Sequence, residues 1–311
     1  MRFKVPVIYI VYNRPNLTKI TFRAIQNYKP NQLFIVCDGP KSSFEKNKIE
    51  EVKKIVNNIN WKCDVYRNYS KVNLGCKNRV VSGIDWAFNF VDCAIILEDD
   101  CLASRSFFKF CETALGVFYN KSEVMHISGS HLLDKKMRPF FSKYPYIWGW
   151  ATWKRAWNNY SINVKFFKDS SKNNFFNIKN LSVSEKFFWQ DSIKLSQKKL
   201  FNTWDVQWLA AIWNNYGVSL NPGVNLVSNL GFGQGATHTK ETNSIFSKIR
   251  LSRINNIDLK KIIIDNKIQP ENHDIDEKIF KKSFYNNKIL AYNYISYIFF
   301  KLLYFISAKF K

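Results

Sequence analysis

The chain has 311 residues, too long for a minimal module and long enough for one large or two fused α/β domains. Hydrophobic residues make up 46% and aromatic residues 17%, which excludes a disordered chain and calls for a substantial core. Lys and Arg outnumber Asp and Glu by 47 to 24, a net charge of +23, so the expected partner is anionic: nucleic acid, acidic lipid headgroups or a phosphorylated molecule.

In chain order, Met1-Arg2-Phe3-Lys4 runs into the apolar, β-branched stretch Val5 to Val11 without a cleavable signal, which predicts a first strand and a cytosolic location. Tyr12-Asn13-Arg14-Pro15-Asn16 reads as a turn, with Asn16 or Thr18 capping a helix to about Tyr28. Leu33 to Cys37 predicts a second buried strand, closed by Asp38-Gly39-Pro40, then a lysine-rich amphipathic helix from about Phe44 to Asn58. Cys63 to Tyr66 is the third strand, Asn73-Leu74-Gly75-Cys76 opens a helix to about Phe90, and Ala94 to Leu97 is the fourth strand. This alternation predicts a mostly parallel sheet with helices on both faces. Neither GxGxxG nor GxxxxGK[ST] is present, so a dinucleotide fingerprint and a P-loop are both excluded.

Beyond Ser106 a helix near Phe107 to Tyr119 and a strand at Val124 to Gly129 are expected, then an aromatic run through Trp148-Gly149-Trp150-Ala151-Thr152-Trp153. Residues 158–184 read as an irregular excursion, Trp204 to about Tyr216 as a helix, and Val218 to Leu220 and Val224 to Val227 as short strands. A glycine-rich loop, Gly231 to Thr239, follows. The six cysteines show no CxxC spacing and no register with the four histidines, which reads as reduced thiols without a zinc site.

Glu98-Asp99-Asp100 is the sharpest chemical signal. It ends an apolar strand, where open α/β sheets place their ligands. Adjacent carboxylates need a counter-charge there, and a divalent cation completed by substrate phosphates supplies one. The competing reading is a solvated acidic turn. At the other end, 289–311 is dense in Ile, Leu, Phe and Tyr, contains Lys301 and is flanked by further lysines. It is marginal for spanning a bilayer and better suited to lying in a membrane interface, or to docking on protein.

Taken in order, Asn13-Arg14-Pro15, Cys37-Asp38-Gly39, Asn73-Leu74-Gly75-Cys76, Glu98-Asp99-Asp100, Gly149-Trp150, Trp204-Asp205 and the glycine-rich loop resemble the GT-A nucleotide-sugar glycosyltransferases. The likeness is to the N-acetylglucosaminyltransferase I-like branch and related bacterial surface-polysaccharide enzymes, over roughly residues 5–240. It implies an α/β GT-A fold split into a nucleotide-binding half (1–102) and an acceptor and catalytic half (103–240), with 241–288 as a polar linker or arm and 289–311 as a membrane-associating helix. By the same resemblance, Asp38 would accept the uracil ring N–H of a UDP-sugar, Arg14 would pair with phosphate or base, and Asn73 would lie beside the nucleotide. Glu98 and Asp99 belong to the DxD-type motif, with Asp99 reaching the ribose or sugar and Asp100 ligating Mn²⁺ or Mg²⁺. Gly149 and Trp150 would wall the donor-sugar pocket, unless the tryptophans are core. His238 would contact the diphosphate or metal from a mobile loop. Asp205 would be the base of an inverting transfer, with Asp191 as rival and a helix cap as the plain alternative.

The region after residue 158 does not follow the eukaryotic enzymes, so a glycan or lipid-linked acceptor at the inner leaflet of the plasma membrane is expected instead. Scattered lysines and the lack of a recognition motif speak against nucleic-acid binding. Intact Asp100 and Asp205 speak against an inactive scaffold, and no pyrophosphorylase-type glycine signature supports a nucleotidyltransferase.

Overall fold

Side-chain alternation along the central strands decides the layers. The structure, a computed structural model, describes residues 4–163, 181–197, 203–232, 249–252 and 271–285. In β1 (Val7–Val11), β2 (Gln32–Cys37) and β4 (Cys93–Glu98), both faces are buried, as continuous apolar runs require. Val7, Tyr9, Leu33, Ile35, Ile95 and Leu97 pack on one side with α1 (Pro15–Tyr28), α2 (Ser43–Asn57) and α4 (Arg105–Val117). Ile8, Ile10, Phe34, Val36, Ala94 and Ile96 pack on the other with α3 (Gly75–Ala87), α5 (Lys154–Trp157) and α7 (Asp205–Asn214). One strand set thus feeds two cores, and the expected α/β layering with helices on both faces is present.

The eight strands run in the order β3-β2-β1-β4-β8-β6-β9-β7, where β3 is Asp64–Tyr69, β6 Val124–Ser128, β7 Phe140–Ser142, β8 Trp150–Trp153 and β9 Val218–Asn221. Four pairings are parallel: β1 with β2, β1 with β4, β2 with β3 and β6 with β9. β8 enters antiparallel between β4 and β6. A two-stranded ribbon of β5 (Cys101–Ala103) and β10 (Val227–Asn229) stands outside this sheet. The parallel strands β3, β2, β1 and β4 all end at the same edge.

Several details differ from expectation. Neither Asn16 nor Thr18 caps α1; Pro15 opens the helix, where its missing N–H costs nothing, and the Thr18 hydroxyl donates back to the Arg14 carbonyl at 2.9 Å. The second short strand after α7 runs Val227–Asn229, not Val224 to Val227. Within the stretch read as a polar linker, α8 (His273–Phe280) buries Ile279 and Phe280 against the second core, on the same side as α6 (Val183–Gln197). Its polar sequence hides one apolar stripe. Of the linker only 249–252 and 271–285 are described; His238 with the rest of its loop beyond Phe232, residues 164–180 of the expected irregular excursion, and the 289–311 tail lie outside the described residues. Among the described residues, no helix is long and apolar enough to cross a membrane.

Candidate functional site

The C-terminal ends of β1, β2 and β4 and the start of α7 open on one cavity of about 350 Å³. Of the expected residues, Arg14, Asp38, Asn73, Glu98, Asp99, Asp100 and Asp205 all line it. Gly149 and Trp150 do not. Trp150 is 1% exposed, a sheet residue stacked between His126 and Trp204, so it belongs to the core. Gly149 shapes the chain just before it, with φ of +61° and no room for a Cβ against Val227 and Leu97. The neighbouring Trp148 and Trp204 face the cavity instead. Asp191 is not among its lining residues.

At the β4 end the acids have different jobs. Asp99 is 2% exposed and accepts from the Tyr12 backbone N–H at 3.1 Å and from the Arg14 guanidinium. Its backbone carbonyl takes the Thr21 hydroxyl at 3.0 Å, so it clamps β4 to the start of α1. Burial pushes Asp99 up to about 6 against the pull of Arg14. Asp100 is more open and pairs with Arg14 Nη1 at 3.0 Å. Glu98, partly buried, is pushed up to about 8 by burial and by the charges of Asp100 and Asp99.

Does this donor set suit a hard dication? Among the described residues, no group of three His, Cys, Asp or Glu side chains is arranged to hold a metal. Ions of the Mg²⁺ and Mn²⁺ class need only one or two protein carboxylates when phosphates and water complete the shell, and Asp100 with Glu98 supplies that. Gly231 packs directly against Asp100, and an added Cβ there would collide with Asp100 Oδ2. The residues fit such an ion bound together with phosphate.

The β2 end is organised by Asp38. Its Oδ1 accepts from Gly39 N and Leu74 N, each at 2.9 Å, and its Oδ2 from Gly75 N at 3.0 Å and Asn73 Nδ2 at 3.1 Å. A carboxylate offers about four lone-pair positions, and these contacts use them all. Asp38 therefore holds the opening turn of α3 in place, and no acceptor position remains for a ring N–H. Asn73 also donates to the Gly39 carbonyl at 2.8 Å, so these two expected ligands serve each other.

Asp205 stands across the cavity, in the first turn of α7. Its Oδ1 accepts from Val206 N at 2.9 Å and from the Thr203 hydroxyl; it caps no other N–H of the helix. Among the described residues no hydrogen bond engages Oδ2.

Sequence reasoning missed several lining residues: Tyr12, Lys41, Arg79, Thr203 and Asn229. Glu45, just behind them, accepts from the Tyr12 hydroxyl at 2.6 Å, Asn13 Nδ2 at 2.8 Å and Lys41 N at 2.7 Å, joining two loops at the rim. Arg79 is 4% exposed, donates through Nη2 to Asn68 Oδ1 at 3.0 Å, and leaves its buried Nε without a partner. No sequence motif marks any of these, although Arg79 lies on the helix that Asn73-Leu74-Gly75 opens.

No protein-family model matches the chain, and no curated protein matches it. Solved structures similar to it include a mannosyltransferase from Pyrobaculum calidifontis in complex with GDP-mannose and Mn²⁺, at 13% identity and a TM-score of 0.37. That match covers 51% of this chain and 46% of the mannosyltransferase, less than half of its length. The galactosyltransferase LgtC, in complex with donor and acceptor sugar analogues, matches at 8% identity and a TM-score of 0.37, over 80% and 84% of the two chains. A 4-diphosphocytidyl-2C-methyl-D-erythritol synthase from Anaerococcus prevotii matches at 12% identity and a TM-score of 0.34, over 62% and 97%. At these values the likenesses carry no functional argument, and the residues of the cavity must carry it.

Proposed function

We propose that the protein is a glycosyltransferase of the GT-A type that moves a sugar from a nucleoside-diphosphate donor to an acceptor hydroxyl. One observation carries this reading: Arg14 and Asp100, suited to a metal-bound diphosphate, share a cavity with an unrelated carboxylate, Asp205, whose Oδ2 carries no hydrogen bond among the described residues. β2 and β4 both pair with β1, so at the usual strand spacing the Asp38 end and the Asp100 end stand roughly 10 Å apart. That span suits a nucleoside lying across the edge with its diphosphate at β4. The site rule for open α/β sheets puts ligands at this edge.

The chemistry then divides among the residues. Arg14 pairs with phosphate oxygens, for which a planar guanidinium is well shaped. A Mn²⁺ or Mg²⁺ ion held by Asp100, with Glu98 beside it, would act as Lewis acid toward the departing diphosphate. Trp148 and Trp204 offer apolar walls toward Asp205. Asp205 Oδ2 takes the proton of the acceptor hydroxyl while its oxygen bonds to the anomeric carbon. The bond from that carbon to the diphosphate breaks, and its electron pair leaves with the phosphate. A single base opposite the leaving group gives inversion, whereas hydrolases use paired acids. A glycan or lipid-linked acceptor in bacterial surface-polysaccharide assembly rests on the motif resemblance, and so does UDP, whose uracil would then be read by groups other than the engaged Asp38 carboxylate.

Calorimetric titration with UDP, GDP and CMP, with and without Mn²⁺, tests the reading on the wild type and on Asp100→Ala. Metal-dependent binding of one nucleoside diphosphate at about micromolar Kd, lost in Asp100→Ala, is the expected result. Failure of all three nucleotides to bind sinks it.

A further inference from the structure

We propose that Arg14 is the resident counter-ion of Asp100, and that a divalent cation takes Asp100 only together with a diphosphate that draws Arg14 away. The inference uses the nucleotide reading above for its second ligand, but the exclusion of bare metal by Arg14 stands without it.

The two halves of the Arg14 fork are held unequally. Nη2 pairs with Asp99, which is 2% exposed and is fixed from behind by the Tyr12 N–H at 3.1 Å and, through its carbonyl, by Thr21 at 3.0 Å. Nη1 reaches Asp100 Oδ2 at 3.0 Å, where Asp100 is 13% and Arg14 21% exposed. Inner contacts with little water are the harder ones to break, so the outer contact is the one that gives. The same Asp100 Oδ2 lies against Gly231, whose missing Cβ lets the backbone come this close to the carboxylate.

A dication approaching Asp100 alone meets an oxygen already bonded to a guanidinium, and a positive charge beside its destination. Either Arg14 leaves without a new anion, or two cations share one carboxylate. A diphosphate removes the conflict. Its oxygens give Nη1 a bidentate anionic partner, Arg14 pivots on Asp99, and negative charge then separates guanidinium from metal. Metal and nucleotide binding are therefore coupled, and by linkage each strengthens the other by one common factor, typically about 5- to 150-fold.

Titration of Mn²⁺ followed by the paramagnetic resonance of the free ion tests this without any transfer activity. Wild-type protein should bind Mn²⁺ alone at least about tenfold more weakly than with saturating UDP. Arg14→Met should take Mn²⁺ alone about tenfold more tightly than wild type, and adding Asp100→Asn should abolish the gain. Arg14→Lys keeps the charge and should go on excluding bare metal. In a wild type that binds UDP, equal affinity for Mn²⁺ with and without it would overturn the proposal, as would an unchanged metal-alone affinity in a folded Arg14→Met. If Arg14→Met fails to fold, the wild-type pair of titrations and Arg14→Lys decide. A wild type that binds no nucleotide, with Arg14→Met still gaining Mn²⁺, would defeat the functional reading and the coupling to a diphosphate, and leave only the exclusion of bare metal by Arg14 standing.

Discussion

Thr203 and Asp205 show how little at the residue scale separates a helix-start acid from a base. Val206 N and Thr203 both donate to Oδ1, which fixes the carboxylate rotamer at the cavity wall and leaves Oδ2 without a hydrogen bond among the described residues. Asp205→Asn should bind nucleotide as wild type does yet lose about 10²-fold or more in transfer, the usual weight of a general base. Thr203→Val frees the carboxylate to turn and should lower kcat with nucleotide Kd unchanged, while Thr203→Ser should restore it. An Asp205→Asn variant with full turnover would leave the chain without its base. Legibility is uneven at this scale. Glu98, Asp99, Asp100, Arg14 and Asp205 can be read because each stands at a strand end or helix start that the pattern itself marks. Glu45 and Arg79 cannot, because their meaning lies in partners that only the folded loops bring near. Asp38 stands at the expected strand end but serves differently there, since a sequence shows an acid after a strand and not how many N–H groups already claim it.

Element by element, the first half is legible and the second is not. Continuous apolar strands such as β1, β2 and β4, separated by helix-length amphipathic runs, leave one sensible arrangement. β8 defeats the same logic, since a four-residue aromatic strand looks alike whether it lines a sugar pocket or fills a sheet. α8 defeats it differently: its apolar stripe is short and polar contacts help to seat it, with Asp276 accepting from the Ser142 hydroxyl and from Lys143 N at 3.4 Å. Next to it Lys143 pairs at 2.9 Å with Glu185 of α6, so charged residues fasten two helices to β7. Burial pushes Asp276 up to about 6, with the Ser142 bond and Lys143 opposing. The folded state therefore holds a proton that the unfolded chain has lost between about pH 4 and 6. Stability falls as pH rises through that window, on the order of 2 to 3 kcal/mol from this group. Glu98 and Asp99 slope the same way, so the test is the difference between wild type and Asp276→Asn in urea melts at pH 4, 5, 6 and 7. The wild-type curve should lose more stability than the variant over that range. Parallel curves would mean that Asp276 folds with its ordinary affinity for protons.

For the whole molecule, the excess of 47 basic over 24 acidic residues exceeds what one diphosphate site requires. Residues 289–311 combine apolar and aromatic density with lysine flanks, the composition of a segment that settles into an anionic bilayer surface. A transferase acting on a lipid-linked acceptor would gain from that placement, because it meets its acceptor in two dimensions. We therefore expect the full chain to co-sediment with vesicles containing phosphatidylglycerol and not with neutral ones. The attraction should weaken steeply from about 0.05 to 0.5 M salt as the Debye length shrinks. A chain ending at residue 288 should stay in the supernatant while binding nucleotide with unchanged affinity, since the described residues that line the cavity all fall within 10–231. If the shortened chain pellets as well as the full one, the tail is not the anchor. The lysines spread over the folded body would then be carrying the membrane contact, and charge reversal along α2, which exposes Lys46 and Lys48, becomes the discriminating change.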